Sequence, residues 1–141
     1  MDNKELTFSE YQEKAHTLAI YDGWQKRFNE THHKVLSENP ILKEDINSVF
    51  NMLHIAYTLF GLSGEVGELL GKMKKIIRDD IGDITPNKVV EISKELGDTM
   101  WYQSEFAKLL DLDMGGVADQ NLDKLFSRKD RGVLGGSGDN R

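Results

Sequence analysis

The sequence predicts an all-α fold, a bundle of four to five helices whose core is completed by oligomerisation. Three observations carry this. Apolar residues recur at three-to-four spacing over long stretches, and no run of β-branched residues alternates with polar ones. Helix boundary signals punctuate the chain at Thr7 or Ser9, at Asp22-Gly23, at Asn39-Pro40 and at Thr85-Pro86. Hydrophobic residues make up 38% of the 141 residues, a low share for a self-contained monomer, which favours a bundle that shares its core with copies of itself.

Taken in order, residues 7–21 are expected to form the first helix, capped by Thr7 or Ser9 and ended by Asp22-Gly23. Phe8, Tyr11, Ala15, Leu18 and Ala19 make its apolar stripe. Residues 24–39 show no clean period and are expected to be a connector with one helical turn. A long helix starts near Lys43, with Ile46, Val49, Phe50, Leu53, Ala56, Tyr57 and Phe60 on one stripe. It then meets Gly61, Gly64, Gly67 and Gly71, each about 1 kcal/mol less favourable in a helix than alanine. Glycines placed so imply close helix–helix approach, or a kink between positions 61 and 64. The helix is expected to stop at Arg78-Asp79-Asp80, and residues 81–85 to form a loop. Thr85-Pro86 opens the next helix, which carries Val89, Val90, Ile92, Leu96, Met100, Trp101, Phe106 and Leu110 and ends near residues 111–113. A last helix spans residues 116–129, with Val117, Leu122, Leu125 and Phe126 as its apolar face. Residues 1–130 thus read as a single domain and residues 131–141 as a glycine-rich tail.

The net charge of −6 argues against sequence-independent binding to nucleic acid or to an anionic membrane. The chain has no cysteine, which excludes disulfides, thiol catalysis and zinc–thiolate sites. Met1-Asp2-Asn3-Lys4-Glu5 has the wrong composition for a signal peptide, and charges break every apolar run. The expectation is a cytoplasmic protein of a bacterial or phage-infected cell, without membrane or nucleic-acid partners.

Two acidic pairs stand out: Glu65 with Glu68 in Gly61-Leu62-Ser63-Gly64-Glu65-Val66-Gly67-Glu68, and Glu95 with Asp98 in Lys94-Glu95-Leu96-Gly97-Asp98. On a helix, i,i+3 spacing stacks both carboxylates on one face, where they repel. A bound divalent cation removes that repulsion, and carboxylates on two facing helices suit Mg²⁺, with Mn²⁺ as a substitute. The alternative is two solvated helix faces, common in a chain that is 30% charged. Against it stand the mid-helix positions and the apolar or glycine neighbours Val66, Leu69, Leu70, Leu96, Met100 and Trp101. Lys72 and Lys75, one and two turns after Glu68, are candidates to meet phosphate, or else an exposed face beside Lys74 and Arg78. Tyr102, one turn after Asp98, is a candidate to stack on a base.

Glu65-x-x-Glu68, 26 intervening residues and Glu95-x-x-Asp98 resemble the defining pattern of the MazG-like, all-α nucleoside triphosphate pyrophosphohydrolases. The run Asn121-Leu122-Asp123-Lys124-Leu125 followed by Arg128 and Arg131-Gly132 is similar to the family's C-terminal wording. The opening Phe8-Ser9-Glu10-Tyr11-Gln12 looks like small, stand-alone, often phage-encoded members. The resemblance implies cleavage of a nucleoside triphosphate between the α and β phosphates, with Mg²⁺ held by Glu65, Glu68, Glu95 and Asp98. It also implies Glu65 or Glu68 as the general base and substrate contacts from Asn121, Lys124 and Arg128. By analogy with phage enzymes the substrate is a dNTP, dGTP or dCTP first. The apolar stripes and glycine-lined faces of the two long helices imply a homo-oligomer, dimer or tetramer. One departure concerns Gly64, where many members carry a further Glu, which bears on the number of metal ions. Other readings are a phosphoribosyl-ATP pyrophosphohydrolase-like enzyme, a non-enzymatic helical assembly or regulatory protein, and a di-iron bundle using Glu13-x-x-His16 and Glu30-x-x-His33.

Overall fold

The computed structural model describes residues 5–135; residues 1–4 and the tail beyond residue 135, with Arg141, lie outside the described residues. Among the described residues there are six helices: α1 (Phe8–His16), α2 (Asp22–Thr31), α3 (His33–Glu38), α4 (Pro40–Asp79), α5 (Pro86–Leu109) and α6 (Met114–Asp130). The all-α expectation holds, with six helices in place of four to five. The difference arises between residues 22 and 39, where two short helices replace the expected connector. Asp22 does not end the first helix. It lies in the first turn of α2, where an acidic side chain faces the positive end of the helix dipole. No residue of α2 is fully buried. The helix is held by edge contacts of its aromatics, Trp24 on Tyr57 and Phe28 on Phe50, which leave no periodic stripe to read.

Local chemistry accounts for the other boundaries. Thr7 caps α1 in a full capping box: its hydroxyl accepts from the Glu10 backbone N–H, and the Glu10 carboxylate accepts from the Thr7 backbone N–H. Pro40 and Pro86 occupy the first turns of α4 and α5. At the end of α6, Gly132 adopts a positive φ of 69° and donates to the Lys129 carbonyl, while the Val133 N–H donates to the Arg128 carbonyl. This Schellman arrangement stops the helix before the glycine-rich tail.

The frame is a pair of antiparallel helices, α4 and α5, joined by the short loop of residues 81–85. The 40 residues of α4 give it a length of about 60 Å, and its glycines do not interrupt it. Their roles divide. At Gly61 a Cβ would overlap the ring of Tyr102, so the aromatic side chain of α5 packs directly on the α4 backbone there. At Gly64, Gly67 and Gly71 a Cβ would meet nothing.

Polar contacts stitch α1 to α5, and α6 lies on α1. The Gln12 amide donates to the Ser104 and Leu112 carbonyls at 3.3 and 2.8 Å and accepts from the Met114 backbone N–H. The Trp101 indole donates to the Ala15 carbonyl at 3.2 Å. The fully buried Glu105 accepts from the Tyr21 hydroxyl at 2.6 Å and lies 3.0 Å from His16 Nδ1. Large apolar side chains, by contrast, face outward: Val49, Leu53 and Phe60, expected on a core stripe, are 58%, 50% and 77% exposed.

The contrast between Gly61 and Gly64 is directly testable. Gly61→Ala is expected to destabilise the fold by roughly 1–3 kcal/mol through overpacking against Tyr102. Gly64→Ala is expected to be neutral or stabilising by up to about 1 kcal/mol through helix propensity. Urea denaturation of the two variants measures the difference.

Candidate active site

The antiparallel register of α4 and α5 sets one acidic pair against the other. Carboxylate oxygens of Glu65, Glu95 and Asp98 lie within 4.8 Å of one another, the tightest acidic grouping among the described residues. Glu95 is buried, Glu65 half-buried and Asp98 exposed. Glu68 lies outside this group on the exposed face of α4, yet close enough for its charge to act on Glu65. Burial first, then the charges of Asp98, Glu68 and Glu95, push the Glu65 carboxyl above the ordinary glutamate range, and it shares a hydrogen bond with Glu95.

The donor set fits a hard divalent cation. Two ionised carboxylates about 4 Å apart repel by on the order of 4 kcal/mol at a protein-surface dielectric, before screening by salt. Within this group the repulsion is relieved by the shared hydrogen bond and by Lys72, whose Nζ lies 3.2 Å from Glu95 Oε1. A lysine ammonium therefore already serves as counter-cation to the cluster. Gly64 borders this site, and the open space beyond it would accept a side chain. Crowding is thus not what keeps a further carboxylate out.

Tyr102 lies beside the cluster, half-buried against Gly61. Its hydroxyl is pushed up, chiefly by burial and by Tyr57, with which it shares a hydrogen bond, and further by Glu65 and Asp98. Trp101 meets it edge-on at 4.8 Å. Lys75 is exposed and lines a small cavity with Lys72 and Lys88. Asn121 and Lys124 are exposed on α6, and Arg128 is buried there. Since α6 lies chiefly on α1, no direct contact joins Asn121 or Lys124 to the carboxylates among the described residues.

Three neighbours of the cluster escaped the sequence reading. Tyr11 of α1 has its hydroxyl pushed up by burial and then by the charges of Asp98 and Glu105. Its place on an apolar stripe hid this. Tyr57 was placed on a core stripe in the same way. Lys88 gave no signal beyond its charge.

The model of the MazG nucleotide pyrophosphohydrolase domain matches residues 55–133, which span both acidic pairs and α6. The "Gene 37 protein" of Mycobacterium phage L5 is 51% identical over 87 residues, covering 62% of this chain and 76% of that protein. No solved structure matches the chain.

The raised Glu65 carboxyl has a consequence for stability. A carboxyl that titrates higher when folded binds more protons in the folded state, so the metal-free protein loses stability as pH rises from the ordinary carboxylate range through the raised value. A cation bound to the ionised cluster offsets that loss. The rise in Tm on adding Mg²⁺ or Mn²⁺ is therefore expected to be larger at about pH 7 than at about pH 5. Scanning calorimetry at the two values checks it.

Proposed function

The chain belongs to the MazG nucleotide pyrophosphohydrolase family, and we propose that it hydrolyses (d)NTP to (d)NMP and pyrophosphate at the carboxylate cluster between α4 and α5. The observation that carries this reading is the convergence of Glu65, Glu95 and Asp98 within 4.8 Å, in a segment matched by the family model. A triphosphate cannot approach such a cluster without cations. Mg²⁺, or Mn²⁺ in its place, would supply Lewis-acid stabilisation of the phosphate charge and lower the pKa of water.

The chain's own residues divide the remaining work. Glu65, Glu95 and Asp98 form the ligand group. Glu68, exposed and just outside it, orients the attacking water and takes its proton, the general-base role that sequence alone leaves open between Glu65 and Glu68. Water adds to one phosphorus flanking the α–β bridging oxygen, the bond from that phosphorus to the bridge breaks, and its electron pair stays on the bridging oxygen. Tyr102, supported by Tyr57 and Gly61, presents a ring edge or face to the base. Asn121, Lys124 and Arg128 are the substrate contacts carried by α6. Deoxynucleotides, dGTP or dCTP first, are the proposed substrates, with a role in nucleotide-pool control. Among the described residues no helix is long and apolar enough to cross a membrane.

The functional unit is proposed to be a homo-oligomer, dimer or tetramer. Outward-facing Val49, Met52, Leu53 and Phe60 on α4, with Leu122 and Phe126 on α6, form apolar faces of the kind that self-association covers. Light scattering at micromolar concentration is expected to give a multiple of the 16.0 kDa chain mass; a monomer contradicts this.

The activity is tested by incubating all NTPs and dNTPs with Mg²⁺ and scoring pyrophosphate release; orthophosphate alone would refute the reaction assigned. The division of roles is tested by substitution. Glu65→Gln and Asp98→Asn are expected to lose both turnover and cation binding. Glu68→Gln is expected to lose turnover by roughly 10²–10⁴-fold while retaining cation binding, as read by calorimetric titration.

A further inference from the structure

A second feature adjoins the carboxylate cluster on the side away from Tyr102. Between the last turns of α4 and the first turns of α5 lies a cavity of about 150 Å³ lined by Lys72, Lys75, Ile76, Lys88 and Glu91. Three of its five lining residues are lysines, in a chain whose net charge is −6. Two carboxylates temper the charge: Glu91 in the wall, and Asp80, which forms an ion pair with Lys88 across the loop. Lys72 belongs to both features, since it lines the cavity and holds Glu95 at 3.2 Å.

The register of α5 gives this arrangement a direction. Lys88, Glu95 and Tyr102 are seven residues apart in turn, so they lie close to one helix face with about 10 Å between successive members. The carboxylate cluster is the midpoint, an aromatic ring marks one end, and a basic cavity marks the other. A nucleoside triphosphate has the same order: base, scissile phosphates, terminal phosphates.

We infer that the Lys72–Lys75–Lys88 cavity is the binding site for the pyrophosphate half of the substrate. The triphosphate then lies along α5 with its base toward Tyr102 and its γ-phosphate toward the loop of residues 81–85. This inference rests on the pyrophosphohydrolase reading and adds to it an orientation and a third basic residue, Lys88. Lys72 follows the phosphates when they arrive, exchanging a carboxylate partner for a phosphate oxygen. Lys75 and Lys88 hold the terminal phosphate as point charges. The site should therefore prefer triphosphates over diphosphates and bind inorganic pyrophosphate as a free product.

The experiment is direct binding, independent of turnover. Inorganic pyrophosphate and dGMP are titrated separately, each with Mg²⁺, into the full chain and into the Lys75→Gln/Lys88→Gln double variant, with a Lys75→Arg/Lys88→Arg variant as charge-retaining control. Pyrophosphate affinity is expected to fall at least about tenfold in the glutamine variant, to recover in the arginine variant, and to leave dGMP affinity unchanged. Unchanged pyrophosphate binding in the glutamine variant, an equal fall for both ligands, or no pyrophosphate binding by the full chain overturns the assignment. Lysine-dependent pyrophosphate binding in a chain that hydrolyses no nucleotide would support this site while removing the reading of the activity.

Discussion

Mutual repulsion among Glu65, Glu95 and Asp98 is the constraint on which the rest of the structure depends. Three carboxylate oxygens within 4.8 Å are unfavourable unless something positive, or a shared proton, lies among them. The positive group is present: the Lys72 ammonium lies 3.2 Å from Glu95 Oε1. A fold that keeps such a cluster at the meeting of its two longest helices retains it for what the cluster binds.

Holding the cluster together is the task of the α4–α5 contact. The Tyr102 ring packs on Gly61, one turn after Asp98 and one turn before Glu65. On the other side, Lys88 and Asp80 pair across the connecting loop. The short helix α1 braces α5 from outside, through hydrogen bonds from Gln12 and Trp101 and through the buried Glu105 with its Tyr21 and His16 partners. This bracing is polar rather than apolar; among the described residues the buried apolar side chains are Ala15, Tyr21, Leu36, Ile76 and Ala107.

Features carried by local chemistry were legible in the sequence. The capping box at Thr7, the prolines at 40 and 86 and the i,i+3 acidic pairs each act within one or two turns, so their spacing reveals them. The family resemblance pointed to both pairs, and the helices bring three of their four carboxylates, Glu65, Glu95 and Asp98, together. Features that depend on tertiary register were not legible. Nothing in the spacing of Glu68 distinguishes it from Glu65, yet only Glu65 joins the tight group. The four α4 glycines look alike in sequence, but a partner ring lies on Gly61 and open space on the other three. Helix α2 was missed because a few aromatic contacts hold it, without a repeating stripe, and α3 because it is six residues long with the single buried side chain Leu36. Lys88 acquires its meaning only when the loop returns it beside Lys72 and Lys75.

The central claim is that the carboxylates of α4 and α5 form one cation site. Titration of Mn²⁺ followed by electron paramagnetic resonance tests it most directly, comparing the full chain with its Glu95→Gln variant. Glu95 is buried and contacts both Glu65 and Lys72, so removing its charge alters the centre of the site. The account predicts saturable loss of the free Mn²⁺ signal with the full chain and its absence with the variant, with the helical circular-dichroism signal kept in both. Equal Mn²⁺ uptake by the two proteins would contradict it.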